Sequence, residues 1–264
     1  MTYEEVLALS PFGVTREEKQ QLIYEELLRL TEHHRTHCAP YARMMESIGF
    51  SAAEARLVED IPFLPVRLFK EMELRSVAEE DVFKTMTSSG TTGQQVSRIF
   101  LDRKTATHQQ KTLVRIVSDR IGGSRMPMLI IDCPSVVKNR AMFSARGAGI
   151  LGFSLFGRKK LYALNDAMEL QLDAIHDFLA ENAGQRILLF GFTFMVWQHF
   201  YQALRAAGER LDLSNAVLIH GGGWKKLTAG AVTPTTFRAA LREVCGDMEV
   251  ADYYGMVEQT GCIY

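Results

Sequence analysis

Residues 216–226 read AVLIHGGGWKK: four apolar positions, a histidine, three glycines in succession, then an aromatic and two lysines. A short, continuous apolar run that stops at glycine fits a strand buried on both faces. Consecutive glycines lose much chain entropy on folding, so Gly221, Gly222 and Gly223 mark backbone that comes close to something, such as a flat purine ring. A plain wide turn is the other reading of the same residues. Working outward, similar runs recur as VFKTMTS (82–88), VSRIFL (96–101), MLIIDC (128–133), RILLFGF (186–192) and MEVADYYG (248–255). Between them lie stretches of helical period at Thr105–Ile121, Asn139–Leu151, Asp166–Ala180, Phe194–Ala207 and Pro234–Val244. This alternation predicts an α/β fold of layered sheets with helices and substantial parallel sheet. In such sheets ligands gather at the carboxyl ends of the strands.

The chain before residue 81 reads differently. TREEKQQLIYEELLRLTEHHRTHC, from Thr15, sets Leu22, Ile23, Leu27 and Leu30 at helical spacing. Thr15 followed by Glu18 fits a capping box. A second helix is expected over Tyr41–Ile48, ending at Gly49. IPFLPVRLF (61–69) carries prolines three apart, which predicts an extended connector lying on apolar surface. The expected organisation is a helical N-terminal region over 1–80 and an α/β nucleotide-binding core over 81–264.

Composition excludes several classes. With 264 residues and 47% hydrophobic side chains, a full core can be buried. Thirty basic and 31 acidic residues leave a formal net charge of −1, which gives no drive toward nucleic acid or an anionic membrane. Cys38, Cys133, Cys245 and Cys262 form no C-x-x-C pair, against both a zinc ribbon and a disulfide scaffold. No signal peptide or membrane-spanning run is read, which points to the cytoplasm.

Three segments carry chemistry. In TMTSSGTTGQ (85–94), Gly90 and Gly93 permit a tight turn, and Thr87, Ser88, Ser89, Thr91 and Thr92 add hydroxyls. Amides and hydroxyls pointing inward make a donor surface for phosphate oxygens. It is not a Walker A loop, because no lysine follows Gly93. A flexible surface turn is the plain alternative. The triple glycine is the second segment, with His220 read equally as a pocket wall or a structural histidine. ADYYGMVEQTG (251–261) is the third: Tyr254 can stack on a base, Gly255 allows close approach, and Glu258 can hold a magnesium ion. Convergence of Ser89, Gly222 and Tyr254 at one rim of a sheet is the expectation on which a nucleotide site depends. The Phe190–Phe194 cluster and Trp197 read as core, and Asp132 ends a strand without an assigned partner. His33, His34, His37 and Cys38 offer a rival, a metal on one helix face.

SSGTTG followed far downstream by YGMVE is similar to the paired signatures of the adenylate-forming superfamily. The strings EHHRTHCAPYARMM, IPFLPVRLFK, TSSGTTGQQVSRIFLDRKT, HGGGWKK and DYYGMVEQTG together resemble the acyl-protein synthetase (LuxE-type) family, from about Glu32 to the last residue. The resemblance implies the large domain of an adenylate-forming ligase that uses ATP and Mg2+ to activate a carboxylic acid, in this family a fatty acid, for transfer to a thiol. It implies a phosphate loop from Thr87 to Gly93, an adenine and acyl pocket lined by Gly221, Gly222 and Gly223, adenine contacts from Asp252 and Tyr254, and magnesium at Glu258. An acyl-CoA reductase-type partner is implied as well. Val257 stands where the superfamily has a threonine, and Gln94, Gln95 and Val96 replace its Pro-Lys. The family continues with a ribose-binding aspartate, a hinge and a small domain bearing a catalytic lysine, so a chain ending at Tyr264 is expected to be incomplete for turnover. An aryl- or acyl-CoA ligase similar to phenylacetate-CoA ligase, and a non-catalytic docking module, are the alternatives.

Overall fold

A computed structural model describes residues 1–10, 12–88, 95–137, 145–224 and 230–258. The described residues divide into two compact units, 1–119 with 256–258 and 120–255.

The first unit opens with helix α1 (Tyr3–Ala8), followed by α2 (Arg16–His37) and α3 (Ala39–Ile48). The capping box at Thr15 and Glu18 forms as expected, each side chain meeting the other residue's backbone N–H. Gly49 ends α3 in the left-handed region, φ 72°, where a side chain would be strained. The connector after Ile61 stays irregular through both prolines, then forms one turn, α4 (Leu68–Glu71). Phe63 within it is 92% exposed, whereas Ile61, Leu64 and Phe69 are half-buried, so the stretch is covered in part. Strands β1 (Lys84–Thr87) and β2 (Arg98–Leu101) pair antiparallel, Thr87 opposite Arg98. Helix α5 (Arg103–Ile121) starts where the Asp102 carboxylate accepts the Thr105 N–H. Its Arg115 donates to the carbonyls of Leu7 and Leu9, which fixes α1.

The second unit is a parallel sheet with strand order β4-β3-β5-β6-β7. The strands are β3 (Met126–Ile131), β4 (Gly157–Tyr162), β5 (Ile187–Phe192), β6 (Ala216–Gly221) and β7 (Glu249–Tyr253). Every residue of β3, β5 and β6 is buried, as a sheet covered on both faces requires. Helices α6 (Ala145–Phe153), α7 (Leu172–Glu181) and α10 (Pro234–Cys245) fall between strands. After β5, α8 (Thr193–Met195) runs through a π-helical segment, Val196–Tyr201, into α9 (Gln202–Ala207). α7 begins six residues later than expected from Asp166. The Asn165 side chain accepts the N–H groups of Ala167 and Glu169, holding this stretch in a turn instead of a helix. Strand β4 was not anticipated: Arg158, Lys159 and Lys160 are exposed on a sheet edge, where charge is common and apolar periodicity is lost. Of the six apolar runs, four enter this sheet, while 82–88 and 96–101 form the separate hairpin.

Candidate functional site

Register aligns the carboxyl ends of four strands. Ile131 of β3 lies opposite Gly191 of β5, Gly191 opposite His220 of β6, and His220 opposite Asp252 of β7. One residue further on, Phe192 faces Gly221 and Gly221 faces Tyr253. The loops leaving β6 and β7 therefore begin side by side, bringing Gly221, Gly222, Gly223, Asp252, Tyr254 and Gly255 to one rim. Asp252 and Tyr254 are exposed, the Tyr254 residue by 57%. Gly222 and Gly223 present bare backbone to the same solvent.

The glycines have separate reasons to be there. A Cβ on Gly221 would sit 2.5 Å from the carbonyl oxygen of Tyr253 and from its ring, so no side chain fits. Gly222 has φ 78°, and a Cβ there would meet Cδ1 of Phe192 at 2.8 Å. Gly223 faces open space.

Beneath the loop lies a buried polar chain. The Thr193 hydroxyl donates to the Gly221 carbonyl at 3.2 Å, so it accepts from Nδ1–H of His220 at 3.0 Å. Burial lowers the His220 pKa to about 4, against a partly offsetting pull from Asp252, whose Oδ1 is 3.8 Å from Nδ1; Arg238 lowers it further. Near neutral pH His220 is uncharged and its Nδ1–H holds the hydroxyl. The His220 ring also packs on Phe237 at 4.6 Å, and Phe237 joins Trp197 and Trp224 in an aromatic group behind the rim. His220 thus supports the glycine loop from below. Its burial follows from lying within a fully buried strand, a signal present in AVLIH.

The strand order reverses between β3 and β5: the chain leaves β3 toward β4 on one side and leaves β5 toward β6 on the other. A crevice at the carboxyl ends is expected at such a switch point. Asp132, 1% exposed, stands at it and takes a bidentate ion pair from Arg146 of α6, at 2.9 and 2.7 Å. Its Oδ1 also accepts the Cys133 N–H. This partner, 14 residues away on a helix, was not readable from spacing.

In the first unit, Thr87 ends β1 and Ser88 closes the hairpin: its N–H donates to Ser97 O and its Oγ accepts the Ser97 N–H. Ser89, Gly90, Thr91, Thr92 and Gly93 lie outside the described residues, so the expected three-loop convergence stands described for two loops. Glu258 is half-buried in a turn that belongs by its contacts to the first unit. A single carboxylate suits magnesium, which takes one or two protein carboxylates together with substrate phosphates. On α2, the His33 and His37 rings stack at 4.4 Å, His37 Nδ1 meets the His33 carbonyl and His34 Nδ1 meets Ser76 Oγ. His33 and His37 are exposed on α2, and only His34 is half-buried, against Ser76. Among the described residues no group of three metal-ligating side chains occurs, and no helix is long and apolar enough to cross a membrane.

Solved structures with the same fold include 2-hydroxyisobutyryl-CoA ligase in its postadenylation state, with an R3-HIB-AMP adenylate. It superposes with a TM-score of 0.66 at 14% identity, over 94% of this chain and 50% of that one. The same ligase with 2-HIB-AMP and CoA in its thioesterification state gives 0.63 at 15% identity, over 94% and 51%. The chain spans about half the length of these structures. No curated protein matches it in sequence. The model of the acyl-protein synthetase family, LuxE, matches residues 2–264, and the chain belongs to that family.

Proposed function

We propose that this protein takes part in the ATP-dependent activation of a carboxylic acid as an acyl-adenylate, for later transfer to a thiol. The single observation that carries the reading is the rim shared by β6 and β7: bare glycine backbone beside an exposed tyrosine and an exposed carboxylate. A flat base can lie against Gly222 and Gly223, stack on Tyr254 and donate its amino group to Asp252. Family membership supports the same reading, as do the adenylates in the complexes of the structural relatives.

A free carboxylate is a poor acyl donor because its leaving group would be oxide. Attack of its oxygen on the α-phosphorus of ATP expels pyrophosphate and leaves AMP as a good leaving group. In this proposal the segment from Thr87 to Gly93 supplies amide and hydroxyl donors to the phosphates, and Glu258 holds the magnesium. The ion, when bound, neutralises charge on the departing pyrophosphate. His220 and Thr193 hold the first glycine carbonyl in place. Fatty acids, a protein cysteine as the thiol and an acyl-CoA reductase-type partner are the family's version of the proposal.

Pyrophosphate exchange into ATP, run with the full-length protein, Mg2+ and a panel of carboxylic acids, tests it. Acid-dependent exchange is the expected result; no exchange with any acid rejects the function. The CoA in one structural relative favours a second reading, an acyl-CoA ligase. Product formation that requires free coenzyme A selects it.

A further inference from the structure

Helix α2 ends in two histidines one turn apart. His33 and His37 are both exposed, and their rings lie face to face, with centroids 4.4 Å apart and planes at 29°. An i, i+4 spacing puts both side chains on one face of a helix. Helices that bind zinc through two histidines use the same interval. His37 Nδ1 lies 2.8 Å from the His33 carbonyl oxygen. A carbonyl only accepts, so Nδ1 carries the hydrogen, and the neutral ring keeps its lone pair on Nε2. A hydrogen bond of this kind, from one ring nitrogen to a backbone carbonyl, is how ligating histidines are fixed in tautomer and orientation. The His33 ring meets the rings of His34 and His37, and neither of its nitrogens is hydrogen-bonded among the described residues. His34 is turned away from the pair, with Nδ1 on Ser76 Oγ at 2.7 Å.

We infer that His33 and His37 form a binding site for a divalent transition-metal cation of the zinc and copper class, each ring giving one nitrogen. Two imidazoles on one ion, each with a metal–nitrogen distance of about 2.1 Å, have centroids about 5 Å apart. A small rotation of two exposed side chains therefore turns the stack into a chelate. The helix end adds to this, because the carbonyls of its last turn carry partial negative charge that favours a cation. His37 also lines a cleft of about 770 Å3, on whose walls Glu80, Asp81 and Asp102 outnumber Arg103 and Lys104. That space leaves room for waters on the remaining positions of the ion. Among the described residues no third histidine, cysteine or carboxylate joins the pair. The site is therefore open and its ion exchangeable, in contrast to a four-ligand structural zinc. Magnesium prefers oxygen ligands and does not compete for two imidazoles. The site is thus separate from the magnesium role proposed for Glu258, and it does not rest on the acid-activation reading.

Zinc alone is the first probe. Full-length protein, freed of any affinity tag and stripped of metal by a chelator, is titrated with zinc chloride by calorimetry, beside His33→Gln, His37→Gln and His176→Gln. Thermal melting without zinc reports folding. Wild type is expected to bind zinc, with its melting temperature raised by the bound ion. His33→Gln and His37→Gln are each expected to weaken zinc binding by about tenfold or more. His176 is an exposed histidine of the other unit, and His176→Gln is expected to bind zinc as wild type does. Excess Mg2+ is expected to leave the zinc affinity unchanged. Copper(II) on wild type gives a readout that needs no variant: its electron paramagnetic resonance is expected to show coupling to two imidazole nitrogens. No zinc binding by folded wild type, equal affinity in all three variants, or a loss in only one of His33→Gln and His37→Gln overturns the inference. So does a copper spectrum with fewer than two coupled nitrogens. None of these outcomes bears on pyrophosphate exchange, which tests the acid-activation reading by itself.

Discussion

Gly221 accepts no side chain, because the backbone of Tyr253 on the next strand already occupies the space. Gly221→Ala is expected to cost about 1–3 kcal/mol by overpacking, read by urea denaturation. It is also expected to weaken ATP binding, read by isothermal titration, because the strain opens the rim where β6 and β7 meet. Stability lost without any change in ATP affinity would separate the glycine from the site. His220, one residue earlier, makes a pH prediction. Its folded pKa of about 4 lies below the ordinary 6.5, so between these values the unfolded chain binds more protons than the folded one. Its contribution is complete above pH 6.5 and is lost as the pH falls through 4, by at most about 3 kcal/mol. Unfolding free energies measured across that window are expected to fall less steeply in His220→Gln than in wild type. Equal slopes would mean that burial does not hold this ring neutral.

At the scale of elements, α10 offers a clean test of local design. Thr233 accepts the Thr236 N–H, and Pro234 starts the helix where no N–H is needed. Thr233→Ala is expected to lower stability by about 1 kcal/mol, measured by thermal or urea unfolding, with ATP affinity unchanged. The start of α10 was legible because Thr and Pro act within one turn. The central strands were legible too, since MLII, ILLF and AVLI are too apolar to face water on either side. β4 was not, because an edge strand with three exposed cations has no apolar period. The late start of α7 was hidden for another reason: one asparagine side chain captured two backbone N–H groups and outweighed helical spacing. The hairpin of β1 and β2 shares its strand signature with the sheet, and residue pattern alone does not say which partner a strand takes.

For the whole molecule, the candidate residues are divided between the two units. Asp252, Tyr254 and the glycines belong to the parallel sheet, while Thr87, Ser88 and Glu258 belong to the unit containing the hairpin. The sequence named these residues because loops that handle nucleotides keep their glycines and hydroxyls close together along the chain. It left Asp132 without Arg146, and Phe192 without Gly222, because those contacts join elements far apart in sequence. Composition also had limited reach: a net charge of −1 argues against polyanion binding but is silent on a single nucleotide.

The proposed activation forms a bond between the acid's oxygen and phosphorus, and isotope transfer reads that bond directly. Full-length protein is given ATP, Mg2+ and a carboxylic acid carrying heavy oxygen at both positions, with hydroxylamine as acceptor. Acyl-adenylate chemistry predicts that the acid leaves one heavy oxygen on AMP as the acyl hydroxamate forms. Hydroxamate accompanied by unlabelled AMP, or by ADP, would contradict it.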